Sequence, residues 1–130
     1  IEDEDSNAVV NNYIINSLKN TSIVTDVSIH EILPKAKTVV TINSGAGFEA
    51  LIHLKPVITL GKVDYSPATF NCKTIEDIKS CKSFIENPTI SPQDIKRFLH
   101  AYMCNTFPDY GATTYLRLVR HLLSKIPQKF

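Results

Sequence analysis

The run Thr38-Val39-Val40-Thr41-Ile42, followed at once by Asn43-Ser44-Gly45-Ala46-Gly47, constrains the fold of this chain more than any other segment. All five residues of the run are β-branched, stiff at χ1 and suited to a pleated backbone. They offer apolar groups to both faces, the pattern of a central parallel strand covered on each side. The small-residue segment then breaks the strand. Phe48-Glu49-Ala50-Leu51-Ile52-His53-Leu54 reads as a short helix, Lys55-Pro56 as a turn, and Val57-Ile58-Thr59-Leu60 as a second buried strand ending at Gly61. A strand, a loop, a helix and a strand in that order pair their two strands in parallel, because such crossovers are right-handed. The expected fold is therefore α/β: a Rossmann-like, mostly parallel sheet flanked by helices.

The rest of the chain supplies helices for that sheet. With 130 residues it fits a single domain over 1–130, large enough to hide roughly two-thirds of its unfolded surface. The acidic opening Glu2-Asp3-Glu4-Asp5 reads as a frayed lead-in or a linker. From Ala8 to Leu18, apolar Val9, Val10, Tyr13, Ile14 and Leu18 recur at helical spacing behind Ser6 or Asn7 as cap. Ser22–Thr25 is a weak strand candidate. Asp26 or Ser28 caps a helix through His30, Ile32 and Leu33 toward Ala36, irregular at Pro34. Beyond Gly61 the chain reads as irregular through Tyr65, Pro67 and Asn71, and Thr74 caps a short helix to Ile78. Ser91-Pro92-Gln93-Asp94 starts a longer helix past Ile95, Phe98, Leu99, Tyr102 and Met103. Gly111 ends a loop, and Thr113–Lys125 forms a last helix that Pro127 stops.

Composition narrows the function. Fourteen basic and 13 acidic residues give a net charge of +1, which favours neither nucleic acid nor an acidic partner. The halves differ mildly: Ile1–Tyr65 carries five basic and eight acidic side chains, Ser66–Phe130 nine and five. Solvated helix faces account for that, including Lys96-Arg97 and Arg117 with Arg120. Cys72, Cys81 and Cys104 are odd in number and show no C-x-x-C spacing. They read as free thiols of a reducing cytoplasm, with no metal site. No apolar run reaches membrane-spanning length. An isoleucine start with no methionine before Met103 reads as part of a longer chain.

The loop carries the chemistry. A helix that opens straight after a buried strand presents unpaired first-turn N–H groups and the positive end of its dipole, which suits a phosphate. Gly45 and Gly47 permit close approach, the Ser44 hydroxyl adds a donor, and Glu49, about one turn on, can accept hydrogen bonds from ribose hydroxyls. In open α/β sheets the ligand crevice lies at the carboxyl ends of the strands, where this loop falls. Tight strand-to-helix packing alone produces similar loops, and the segment is neither a Walker A loop nor a G-x-G-x-x-G fingerprint. Elsewhere, His30 reads as a partly exposed helix residue or a cleft-facing one, His53, His100 and His121 as surface or boundary residues, and Asp26 as a cap or a cleft residue. Tyr65 reads as a ring that stacks on a base or covers the loop. Phe98, Tyr102 and Met103 read as core.

The stretch Val40–Leu51, with Lys55-Pro56-Val57-Ile58-Thr59-Leu60-Gly61 and Tyr65, resembles the signature of the capsule polysaccharide biosynthesis family, which includes β-Kdo transferases. Val24-Thr25-Asp26 and Ser28–Leu33 resemble the strand and helix that precede that signature. The close match spans about Ile23 to Tyr65. The resemblance implies the C-terminal, donor-binding half of a GT-B glycosyltransferase that uses CMP-Kdo without a metal. It implies that Ser44, Gly45 and Ala46 meet the donor phosphate, Glu49 holds the ribose, Asn43 shapes the loop, and Gly61 to Tyr65 border the sugar or base. Two positions depart from the family: threonine is frequent where Gly45 stands, and glycine is usual where Leu54 stands. The family's upstream His-Pro element and N-terminal acceptor domain are not within these residues, so the catalytic residues are expected outside them. The expected partners are a CMP-sugar and a glycan or glycolipid acceptor, in the cytoplasm or at the inner face of the inner membrane, with peripheral membrane association. Two alternatives stand beside this: a UDP-sugar transferase or epimerase-like protein of the same fold, and a non-catalytic nucleotide-binding module of a capsule assembly complex.

Overall fold

A computed structural model describes residues 2–106, with Arg117, Val119, Arg120, His121 and Ser124 beyond them. Helices α1 (Glu2–Ser17), α2 (Ile29–Ile32), α3 (Gly45–Ile52), α4 (Ile75–Glu86) and α5 (Pro92–Thr106) accompany strands β1 (Val39–Thr41), β2 (Val57–Thr59) and β3 (Phe70–Asn71). The sheet order is β1-β2-β3 and both pairings are parallel. This is the expected α/β, Rossmann-like arrangement. The five further positions are helical, in keeping with a last helix, but Gly111, Pro127 and most of Thr113–Lys125 lie outside the described residues.

The strand roles are exchanged relative to expectation. The central strand is β2, whose Val57, Ile58 and Thr59 are all at 0% exposure. β1 is an edge strand, paired only with β2 among the described residues, and Val40 is 55% exposed. Both runs are β-branched, and composition does not say which gains neighbours on both sides. Ser22–Thr25 is irregular and exposed rather than a strand. Without a ladder partner its β-propensity has nothing to pack against. Conversely β3 arises in the supposedly irregular stretch, where Ile58 and Thr59 pair with Phe70 and Asn71.

Helix ends follow their capping chemistry. The acidic opening is the first turn of α1 rather than a lead-in or linker. α2 starts behind Ser28, whose Oγ accepts from the His30 N–H at 3.3 Å, and gives way to a 3₁₀ turn, Leu33–Lys35, at Pro34. Thr74 and Asp77 form a reciprocal capping box, and α4 then runs well beyond the short helix expected there. Ser91 and Asp94 cap α5 in the same reciprocal way.

The main core sits between the sheet, α3 and α5, where Ala50, Leu51, Val57, Ile95 and Leu99 are essentially inaccessible. A smaller cluster of Ile58, Cys72 and Phe84 lies under α4. All three cysteines are free. Cys72 and Cys81 nevertheless approach to 3.4 Å between sulfurs, and burial foremost pushes the Cys72 thiol up to about 11. No described helix is long and apolar enough to cross a membrane.

Candidate functional site

The loop after β1 is held from three directions. Ser44 is the N-cap of α3, so the helix begins at Gly45, three residues before the expected Phe48. Its Oγ accepts from the Ala46 N–H at 3.2 Å, and its own N–H donates to Thr41 Oγ1 at 3.2 Å. The Gly47 N–H donates to the Ser44 carbonyl at 3.1 Å. Tyr65, reaching over from the loop after β2, donates its hydroxyl to that same carbonyl. Burial foremost, with Asp64 adding, raises the Tyr65 pKa and keeps the phenol a donor.

These bonds separate the two glycines. A Cβ on Gly47 would stand 2.5 Å from the Tyr65 hydroxyl and 2.8 Å from Thr41 Cγ2, so its bareness serves packing. Around Gly45 nothing lies within 4 Å of such an atom. Its side of the helix N-terminus is open to a ligand. Asn43 and Ser44 are exposed and Ala46 half-buried. Tyr65 is only 5% exposed, its ring against Phe48 with centroids 5.9 Å apart. In this arrangement it covers and pins the loop.

Gly61 closes the approach between the strand ends: a Cβ there would lie 2.8 Å from the Ile42 carbonyl oxygen. Asn71 fixes it by donating from Nδ2 to the Gly61 carbonyl at 3.1 Å and to Thr59 Oγ1 at 2.8 Å. A pocket of about 490 Å³ opens at the carboxyl ends of β2 and β3, lined by Gly61, Lys62, Val63, Ser66, Asn71 and Lys73 among others. Asp64 accepts from the Tyr102 hydroxyl, tying this rim to α5.

Glu49 stands apart from the loop. Its Oε2 lies 3.6 Å from His30 Nε2 on α2, and His53, one turn further along, stacks obliquely on His30 with centroids 5.8 Å apart. Burial, then His30 and Lys55, lower the His53 pKa, and Glu49 partly opposes them. From the sequence His30 reads as a cleft-facing or partly exposed helix residue and His53 as a surface or boundary residue, with no link between them. The spacing of Glu49 and His53 by four residues was a visible signal for a shared helix face, but nothing linear announced His30. Asp26 is exposed, and the cap of α2 is Ser28. His100, Lys96, Arg97, Arg117, Arg120 and His121 are all exposed. Met103 is core at 6% exposure, whereas Phe98 and Tyr102 are half-buried over it. Among the described residues no group of three or more His, Cys, Asp or Glu is placed to hold a metal.

A parallel sheet with a serine-capped, glycine-bearing helix start at its carboxyl ends defines the class: an α/β domain of the Rossmann-like kind. The chain belongs to the family of capsule polysaccharide biosynthesis proteins, whose pattern it matches over residues 5–107, well over half its length. It has a role in capsule polysaccharide synthesis, which in general involves a sugar donor and a glycan acceptor. The comparison with curated proteins gave no match, and neither did the comparison with solved structures.

Proposed function

We propose that this chain is the donor-binding domain of a GT-B glycosyltransferase that takes Kdo from CMP-Kdo without a metal. The observation that carries the reading is the open start of α3 at the sheet's carboxyl edge, with Ser44 and Gly45 facing free space. There the Gly45 N–H, the Ser44 hydroxyl and the helix dipole can receive the donor phosphate. The same groups stabilise the charge that grows on the departing nucleotide as the sugar bond breaks. The Ala46 N–H is already directed at Ser44 Oγ across 3.2 Å, a long bond that a phosphate oxygen can share. Asn43 flanks the loop and Gly47 and Tyr65 hold its shape, while Glu49 accepts the ribose hydroxyls. Gly61 and the pocket behind it border the sugar or base, where Lys62 and Lys73 suit an anionic sugar.

The acceptor, a glycan or glycolipid, meets a second domain that supplies the catalytic acid or base. The reaction then belongs on the cytoplasmic side of the inner membrane, where nucleotide sugars are available. Calorimetric titration of the folded chain with CMP and with UDP tests the reading. CMP should bind more tightly, by about tenfold, and Ser44→Ala and Glu49→Ala should each weaken it. Preference for UDP would assign a UDP-sugar donor instead. No heat with either nucleotide would leave the loop as packing.

A further inference from the structure

Four buried side-chain polar atoms lack a hydrogen-bond partner among the described residues, and three of them sit in one trio: His30 Nδ1, Glu49 Oε2 and His53 Nε2. Buried polar groups are almost always paired, so a concentration of unpaired ones marks a place shaped for something other than stability. The geometry adds direction. The Glu49 side chain is 37% exposed, yet Oε2 is turned inward to within 3.6 Å of His30 Nε2, while the His30 side chain keeps 15% of its surface. A glutamate on an open helix face would ordinarily extend all of its carboxylate into water.

We propose that His30 is the positioning residue for Glu49, holding one carboxylate oxygen inward so that the carboxylate's exposed side is set to receive the paired hydroxyls of a ribose. This rests on the nucleotide reading above and adds to it the residue that selects ribose over deoxyribose. A free glutamate has three rotatable bonds, and ordering them at the moment of binding costs affinity. A partner that orders them beforehand removes that cost. His30 can do so because α2 is itself anchored. Leu33, just after it, is 2% exposed, and Lys55 Nζ donates to the Pro34 carbonyl at 2.8 Å, joining the end of α3 to the turn below α2. At 3.6 Å the contact is longer than a hydrogen bond, so His30 acts on Oε2 as a close polar neighbour rather than as a donor. His53 backs the His30 ring at 5.8 Å and keeps it from rotating away.

The test compares binding of CMP and 2′-deoxyCMP to the unmodified chain, Glu49→Gln, His30→Ala and His30→Gln, with a thermal melt of each. The unmodified chain should favour CMP by about tenfold, the worth of a hydrogen bond to a charged acceptor. His30→Ala should shrink that preference to about threefold or less while affinity for 2′-deoxyCMP and the melting midpoint hold. His30→Gln, whose amide places a polar group in nearly the same position, should restore it. If His30→Ala weakens both nucleotides equally, or leaves the preference intact while Glu49→Gln removes it, His30 does not position Glu49. If the unmodified chain binds neither nucleotide, the donor-site reading itself fails, before any variant is compared. If it binds both equally but loses both on Ser44→Ala, the phosphate site stands and the ribose role of Glu49 falls, along with this inference.

Discussion

Helices α1 and α3 both carry apolar residues and meet opposite fates. In α3, Ala50, Leu51 and Ile52 are buried against β2 and α5. In α1, Val9 is 69% and Tyr13 72% exposed. Periodicity reports that a helix has an apolar side, but burial needs a second surface at the right distance. α3 has one because the crossover from β1 to β2 lays it directly on the sheet. The described residues offer α1 no comparable surface. The energy of this fold, and the rigidity of its candidate site, should therefore reside in the α3 half.

The contrast is most easily broken in the core. Leu51→Ala should cost about 2–5 kcal/mol in urea unfolding, since Leu51 is wholly buried. A cost as small as that of a surface change would mean that α3 is not the anchor. Next comes the loop. Gly47→Ala should lose about 1–3 kcal/mol by overpacking Tyr65 and Thr41. Gly45→Ala should unfold no earlier than the unmodified chain, because its Cβ enters open space, yet it should bind nucleotide less well. Equal stability losses at the two positions would erase the distinction between a packing glycine and a ligand-facing one.

A smaller effect should appear with acid. His53 titrates below its ordinary value, chiefly through burial, so the unfolded chain takes up that proton more readily than the folded one. Stability should be full above about pH 6.5, the ordinary histidine value, and decline as the pH falls below it. His53→Gln should flatten that decline in melts collected across the window. An unchanged slope would place the acid sensitivity elsewhere. Smallest of all, Val9→Ser with Val10→Ser should move the unfolding free energy by no more than about 0.5 kcal/mol. A loss near that of Leu51→Ala would show that α1 is packed after all.

How far the sequence reached depended on whether the determining contacts were local. The β1-loop-α3-β2 unit was legible because β-branched runs, small loop residues and a lysine-proline turn each act within a few residues of themselves. The caps at Ser28, Thr74 and Ser91 were legible for the same reason. Which strand is central was not, because Thr38–Ile42 and Val57–Leu60 differ in neighbours rather than in composition. Nor was β3, two residues whose ladder is set by Thr59 and Ile58. Leu54, where the family usually has glycine, shows what a single departure means. It ends α3 at φ 56°, and the Leu54 and Lys55 N–H groups close back on the Leu51 and Ala50 carbonyls. That left-handed C-terminal turn suits glycine, and here leucine accepts it while packing on the core. At the candidate site, Ser44 and Gly45 were read from local chemistry, and the clamp from Tyr65 depended on a contact 21 residues away in the chain.

The central claim is that the open start of α3 is where a nucleotide phosphate binds, and amide chemical shifts during a CMP titration test it most directly. The Gly45 and Ala46 signals should move first and saturate together, with Gly61 following and α1 and α4 unmoved. Saturable shifts centred on another surface, with Gly45 and Ala46 unchanged, would contradict the claim.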